Sequence, residues 1–379
     1  MIDGGAAAPL PYAESDPVEA RSPADRVTII AEAGVNHNGS LDLALALVDA
    51  ASDAGADIVK FQTFVADRLA SRAAPKAGYQ LSTTDAEESQ HAMLRRLELT
   101  EAMHARLIER CARRGIEFLS TPFDEQSLDL LVGLGIKRLK IPSGEITNGP
   151  LLLKAARTGL PIILSTGMSE LDEVEAALGV LAFGYGESRK ATPSEGAFRR
   201  ALASAVGRDA VVANVTLLHC TTEYPAPLES VNLRAMDTMA AAFGTKVGYS
   251  DHTPGIAVAI AAAARGACVI EKHVTLDRGL PGPDHRASIE PRDFSLLVEG
   301  IRAASAALGR PEKTAAACES GNRAVARKSL IAVRAIAKGA VLTPADLAVK
   351  RPGSGRSPMA YWSLVGQRAA RAYRADEPI

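Results

Sequence analysis

Two histidines, His252 and His273, stand twenty-one residues apart, each just beyond a short apolar run, Lys246–Tyr249 and Cys268–Glu271. An alanine-rich stretch with helical periodicity, Gly255–Arg265, lies between the two runs. Strand, helix, strand is the pattern of a parallel unit in which C-terminal strand ends lie side by side. Imidazoles at two neighbouring strand ends can share one divalent metal ion. A single histidine there reads as a satisfied loop residue. A pair at equivalent ends, beside Ser250, Asp251, Glu271, Lys272 and Asp284, reads as a site.

Similar polar clusters follow six other apolar runs. Glu32 follows the first, Lys60, Gln62 and Thr63 close the second, and Thr121 and Asp124 follow the third. Lys140, Ser143 and Glu145 belong to the fourth, Ser165-Thr166-Gly167 to the fifth, and His219, Thr222, Glu223 and Tyr224 to the sixth. The N-terminal sides of the same runs show nothing comparable. Lys60 and Lys140 sit within their runs, where an unpaired ammonium is costly, so each needs an anionic ligand or a carboxylate such as Glu32 or Glu145. Serine, threonine and glycine beside them suit phosphate or carboxylate. A lysine that forms a Schiff base, as in barrel aldolases, is the competing chemistry. Both readings stand at this point.

The elements that must hold these residues alternate. Strand-like runs are expected at Val27–Ala31, Asp57–Phe61, Ile116–Ser120, Lys137–Ile141, Pro161–Ser165, Val215–His219, Lys246–Tyr249 and Cys268–Glu271. Helix-like stretches, among them Leu41–Ala54, Thr100–Arg114, Glu125–Leu134, Leu151–Thr158 and Glu170–Leu181, separate them, and glycine punctuates the returns. Eight such pairs within about 280 residues predict a (β/α)₈ TIM barrel, with a doubly wound sheet as the rival. The dinucleotide-loop candidate Gly184-Tyr185-Gly186 follows a helix pattern and is set aside.

The expected organisation is a disordered leader over 1–26, a barrel over 27–308, a linker over 309–325 and a small, mainly-β unit over 326–379. The polar stretch Gly186–Asn214, with a helical pattern around Phe198–Val206, reads as an insertion on the outer ring. A net charge of −1 gives no electrostatic case for nucleic acid or an anionic membrane. Four scattered cysteines argue against disulfides or a zinc cluster and for a reducing cytoplasm. No secretory signal and no membrane-length apolar helix are visible, so a soluble cytoplasmic protein is expected.

The segments IIAEAGVNHNG, GADIVKFQTF, EFLSTPFD, KIPSGEITN, PIILSTGM, LLHCTTEYPAP, VGYSDHT, VIEKHVTLD and PGPDH, in this order, resemble the sialic acid synthase family. The tail segments ARKSLIA, AKGAVLT, VKRPGSG and LVGQRAAR resemble the antifreeze-like (SAF) domain that ends those enzymes. The resemblance covers the chain from about Val27 onward. It implies condensation of phosphoenolpyruvate with an N-acetylmannosamine-type hexosamine to a nine-carbon 2-keto acid and phosphate. The product implied is N-acetylneuraminate or N,N'-diacetyllegionaminate, with pseudaminate as the alternative. A non-catalytic sugar-binding barrel and a Schiff-base pyruvate aldolase are the rivals from other classes.

By the same resemblance, His252 and His273 would ligate a divalent ion, Mn2+ or Mg2+, that polarises the sugar's aldehyde. Lys60, Thr121, Lys140, Ser143, Ser165, Thr222 and Ser250 would hold phosphoenolpyruvate, Thr222 standing where some members have asparagine. Gln62, Tyr224 and Asp284 would meet the sugar, and Glu32, Glu145 and Glu271, with Lys60, would form the catalytic set. The family also implies a domain-swapped homodimer in which Arg351, in the loop RPGSG, reaches the partner's active site.

Overall fold

The computed structural model describes residues 26–81, 83–85, 87–186 and 190–379. The expected leader therefore lies, but for Arg26, outside the described residues. The chain divides at Gly309 into two compact units, described separately below.

The larger unit is a barrel of eight parallel strands. They are β1 (Thr28–Gly34), β2 (Ile58–Thr63), β3 (Glu117–Pro122), β4 (Leu139–Ile141), β5 (Ile162–Ser165), β6 (Val215–His219), β7 (Lys246–Asp251) and β8 (Val269–His273). Pairing runs β3-β2-β1-β8-β7-β6-β5-β4, and β3 and β4 lie side by side to close the ring. The fold is a TIM barrel, and the doubly wound alternative falls away.

Alternation along each strand separates two environments. Outward residues such as Ile29, Ala31, Phe61, Leu164, Leu217 and Tyr249 join the large core beneath the helices. Inward, Ile30, Ile58, Leu119, Ile163, Leu218 and Val269 form an apolar plug. Two residues further along the same strands the inward side chains turn polar: Glu32, Lys60, Thr121, Ser165 and Glu271. Strand β7 meets the plug with Gly248, where an added Cβ would come within 2.5 Å of the Val269 carbonyl oxygen and 2.7 Å of Leu218 Cδ2. The plug is the floor on which the polar layer stands.

Several strands run further than their apolar runs suggested. β1, β2, β3, β7 and β8 extend through their polar ends, because the parallel ladders continue through Glu32↔His273, Gln62↔Thr121 and Asp251↔Lys272. The insertion forms two helices, Glu195–Ala203 and Ala205–Asn214, broken at Ser204, which caps the second through Gly207 N–H. Gly184 and Gly186 lie within the helix Leu171–Gly186. The N-terminal strand ends are not bare. Arg302 pairs with Asp57 at 2.7 Å and Arg138 with Glu117 at 2.8 Å, so those charges are mutually satisfied.

The C-terminal unit spans Arg310–Ile379. Its first part, expected as a linker, contains the helix Ser320–Ala326. An antiparallel pair follows, β9 (Ser329–Ala332) and β10 (Leu347–Lys350), with further isolated bridges. Leu330, Ala332, Ile336, Leu342, Leu347, Leu364 and Ile379 make its core. Among the described residues no helix is long and apolar enough to cross a membrane.

Candidate active site

The C-terminal strand ends open into a cavity of about 620 Å³. The expected catalytic, substrate-binding and metal residues of the barrel portion all line it except Glu145, whereas Thr63, Asp124, Thr166, His219, Asp251 and Lys272 do not. Glu145 lies in the short turn Ser143–Glu145, where its carboxylate accepts from Asn148 Nδ2 at 2.6 Å. Arg351 belongs to the other unit, is exposed, and meets no carboxylate within ion-pair distance among the described residues.

Two lysines and two glutamates, each at most 4% exposed, occupy the polar layer. Lys60 Nζ lies 2.6 Å from Glu32 Oε2, 3.6 Å from Glu271 Oε2, and donates to Thr121 Oγ1 at 3.3 Å. Lys140 Nζ donates to Ser165 Oγ at 2.7 Å and lies 3.6 Å from Glu271 Oε1. Ser250 donates to Glu271 Oε1 at 2.8 Å.

The carboxylates differ in what opposes burial. For Glu271, burial favours the neutral acid, but Lys140, Lys60 and the Ser250 hydroxyl outweigh it and hold the pKa at about 2. For Glu32, burial prevails over Lys60, the negative Glu271 adds to it, and the pKa rises to about 7. Burial lowers the pKa of Lys140, while for Lys60 the two glutamates more than offset burial. Near neutral pH charged Lys60 therefore faces a secure anion in Glu271, while burial disfavours the charge on Lys140 unless a further anion joins it. Such a cluster attracts a further, multiply charged anion.

The two histidines converge beside this layer, ring centres 5.5 Å apart, with the Tyr224 ring 4.2 Å from His252 and 5.6 Å from His273. His252 Nδ1 lies 2.7 Å from the Thr221 carbonyl oxygen, which only accepts, so the proton is on Nδ1; Nε2 lies 3.4 Å from Ser250 Oγ, whose proton goes to Glu271, and keeps its lone pair available. His273 Nδ1 is buried with no hydrogen-bond partner, 4.0 Å from Asp284 Oδ2. Burial lowers both imidazole pKa values and raises that of Asp284 to about 6. Two neutral imidazoles with unengaged nitrogen fit a divalent ion. Among the described residues no group of three or more His, Cys, Asp or Glu could hold one alone, so water or substrate must complete the shell.

Part of the wall was not read from the sequence. The helices Ala66–Leu69 and Gln90–Arg96 bring Leu69, Met93, Leu94 and Leu97 onto the cavity. The signal was the apolar spacing Met93, Leu94, Leu97 in a segment with no strand to cover. Cys220, two after the plug residue Leu218 and just beyond β6, also lines the cavity. Thr222, which stands where some members of the resembled family have asparagine, has its hydroxyl buried and without a hydrogen-bond partner.

Against known protein families, residues 47–313 match the NeuB family and residues 327–379 match the SAF domain. An N,N'-diacetyllegionaminic acid synthase of Campylobacter jejuni is 49% identical over 93% of this chain and 99% of its own. An enzyme of the same name from Legionella pneumophila is 48% identical over 90% of this chain and 89% of its own. The crystal structure of a sialic acid synthetase from Leptospira borgpetersenii, bound to citrate, superposes with a TM-score of 0.62 at 32% identity. It covers 78% of this chain and 90% of that one.

Proposed function

From the premise that the chain belongs to the NeuB family of phosphoenolpyruvate-dependent sialic acid synthases and ends in a SAF domain, we propose that it is an N,N'-diacetyllegionaminate synthase. Its substrates are then phosphoenolpyruvate and a hexose carrying two N-acetyl groups. The carrying observation is the 49% and 48% identity to two enzymes of that name over nearly their whole lengths, against 32% to a sialic acid synthetase. The cavity supports it. Val35, Leu69, Met93, Leu94 and Leu97 offer apolar surface to acetyl methyls, and no atom lies within 4 Å of the Cβ that Gly78 lacks.

In this reading Lys60 and Lys140, with Thr121, Ser143, Ser165, Thr222 and Ser250, hold the enol phosphate. A bond forms between its C3 and the aldehyde carbon, the aldehyde oxygen takes a proton, water adds at C2 and phosphate leaves. Glu271 stays ionised and fixes both lysines and Ser250. Glu32, with a pKa of about 7, carries the proton that moves. Gln62, Tyr224 and Asp284 orient the sugar. His252 and His273 would hold Mn2+ or Mg2+, which would supply Lewis acidity to the aldehyde when bound. Chelation should abolish turnover and Mn2+ restore it, and full activity in chelator would remove the metal from this scheme.

Phosphate release tests the substrate. The protein is incubated with phosphoenolpyruvate and, in turn, the two-acetamido hexose, N-acetylmannosamine and the pseudaminate precursor. Release with the first is expected, and release with another alone reassigns the product. The proposal extends to a homodimer in which the C-terminal unit of one chain brings Arg351 to the other chain's site. It places the protein in the cytoplasm, in keeping with four cysteines that are all free thiols. Cell fractionation checks the last point.

A further inference from the structure

Between β5 and the helix Leu171–Gly186 the chain reverses at Thr166–Ser169, closed by Ser169 N–H donating to the Thr166 carbonyl at 3.3 Å. Met168, the second central residue, carries a positive φ of +64°, whereas Gly167 does not. A turn with that pattern prefers glycine at its second central place. This sequence has its glycine one position early.

The early glycine has a local cause. A Cβ on Gly167 would run into Thr222 Oγ1 and stand 2.9 Å from both Cys220 Sγ and Ser143 Oγ, and its N–H donates to Ser143 Oγ at 2.9 Å. The backbone is thus pressed against the serine and threonine end of the cavity. That explains Gly167 and leaves Met168 unexplained. Left-handed backbone costs a methionine stability that glycine would not lose. The side chain gains little packing in return, being 70% exposed where it borders the cavity.

We propose that Met168 covers the anion-binding end of the cavity, and that the strained backbone persists because only a side chain from this position reaches over it. The inference rests on the cavity's being an enol-phosphate site. An apolar cover excludes water and strengthens the attraction of Lys60 and Lys140 for the anion. Methionine, unbranched and easily rotated, can cover the anion and still swing aside for phosphate to leave.

Full-length wild type, Met168→Gly and Met168→Leu are compared by calorimetric titration with phosphoenolpyruvate, and separately with inorganic phosphate, in Mn2+ and without hexose. Glycine relieves the left-handed strain, so its thermal midpoint should not fall, yet it should bind phosphoenolpyruvate roughly tenfold more weakly. Inorganic phosphate should weaken in the same direction. Leucine keeps an apolar cover and should bind within about twofold of wild type. Equal binding by the glycine variant overturns the proposal, and so does a lower midpoint, which would make the side chain structural. A change of oligomeric state with unchanged affinity also overturns it, by assigning Met168 to a subunit contact. If wild type itself does not bind phosphoenolpyruvate, the functional reading fails along with the cover.

Discussion

Glu32 and Glu271 share Lys60, yet only Glu271 also holds Lys140 and Ser250, and this decides which keeps its proton. Glu32's pKa rises from 4.5 to about 7 on folding. The folded state therefore binds more protons than the unfolded chain between those values, and this group's contribution to stability falls as pH rises through that window. Glu271 acts in the opposite sense: its stabilisation is present above its unfolded pKa and is lost as pH falls toward 2. Glu32→Gln removes the first effect. Relative to wild type, the metal-free variant should gain on the order of 3 kcal/mol between pH 5 and pH 8 in urea unfolding. A difference independent of pH would show that Glu32 does not titrate there. The inward polar residues were legible in the sequence because they lie two positions beyond the plug residues on the same strands. Glu145 lies off the strands, in the turn after β4, where its carboxylate accepts from Asn148. Met168 has no polar atom to advertise it.

At the scale of elements, β7 and β8 are locked together next to their histidines. Asp251 and Lys272 face one another in register, pair at 2.8 Å and are at most 1% exposed. Lys272 also donates to the Thr253 carbonyl at 2.5 Å, and Asp251 accepts from Thr253 N–H at 2.9 Å. His252 is thus flanked by two clamped residues. Removing one charge strands the other in the core, so Asp251→Asn or Lys272→Met should each cost about 3–5 kcal/mol in denaturant unfolding. The double variant Asp251→Leu/Lys272→Met should recover most of that loss. Additive losses would show that the two side chains do not act as a pair. The sequence revealed strand and helix alternation because helix returns end in glycine and apolar runs are short. It hid where strands stop, since polar residues that continue a ladder look the same as loop residues. It marked the cavity wall around Met93 only by the brief spacing Met93, Leu94, Leu97 in a helix of 7 residues.

For the whole molecule, the proposed exchange of caps has a consequence that single chains cannot show. His252→Ala and Arg351→Ala are each expected to be inactive. Co-expressed, they should regain part of wild-type activity, because one site of a mixed dimer then has an intact barrel and an intact arginine. Mixed dimers without activity would contradict action across the dimer. Both the barrel and the small C-terminal unit were legible, the second only through its motifs, since the 70 residues Arg310–Ile379 with one short antiparallel pair carry little periodicity. The claim on which the rest depends is that this chain makes a carbon–carbon bond between phosphoenolpyruvate and a two-acetamido hexose. Phosphoenolpyruvate labelled with ¹³C at all three carbons, incubated with that hexose and Mn2+, tests it by mass spectrometry of the products. The account predicts one molecule of a nine-carbon acid, bearing three labelled carbons and both acetyl groups, for each phosphate released. Labelled pyruvate beside unchanged hexose would contradict it.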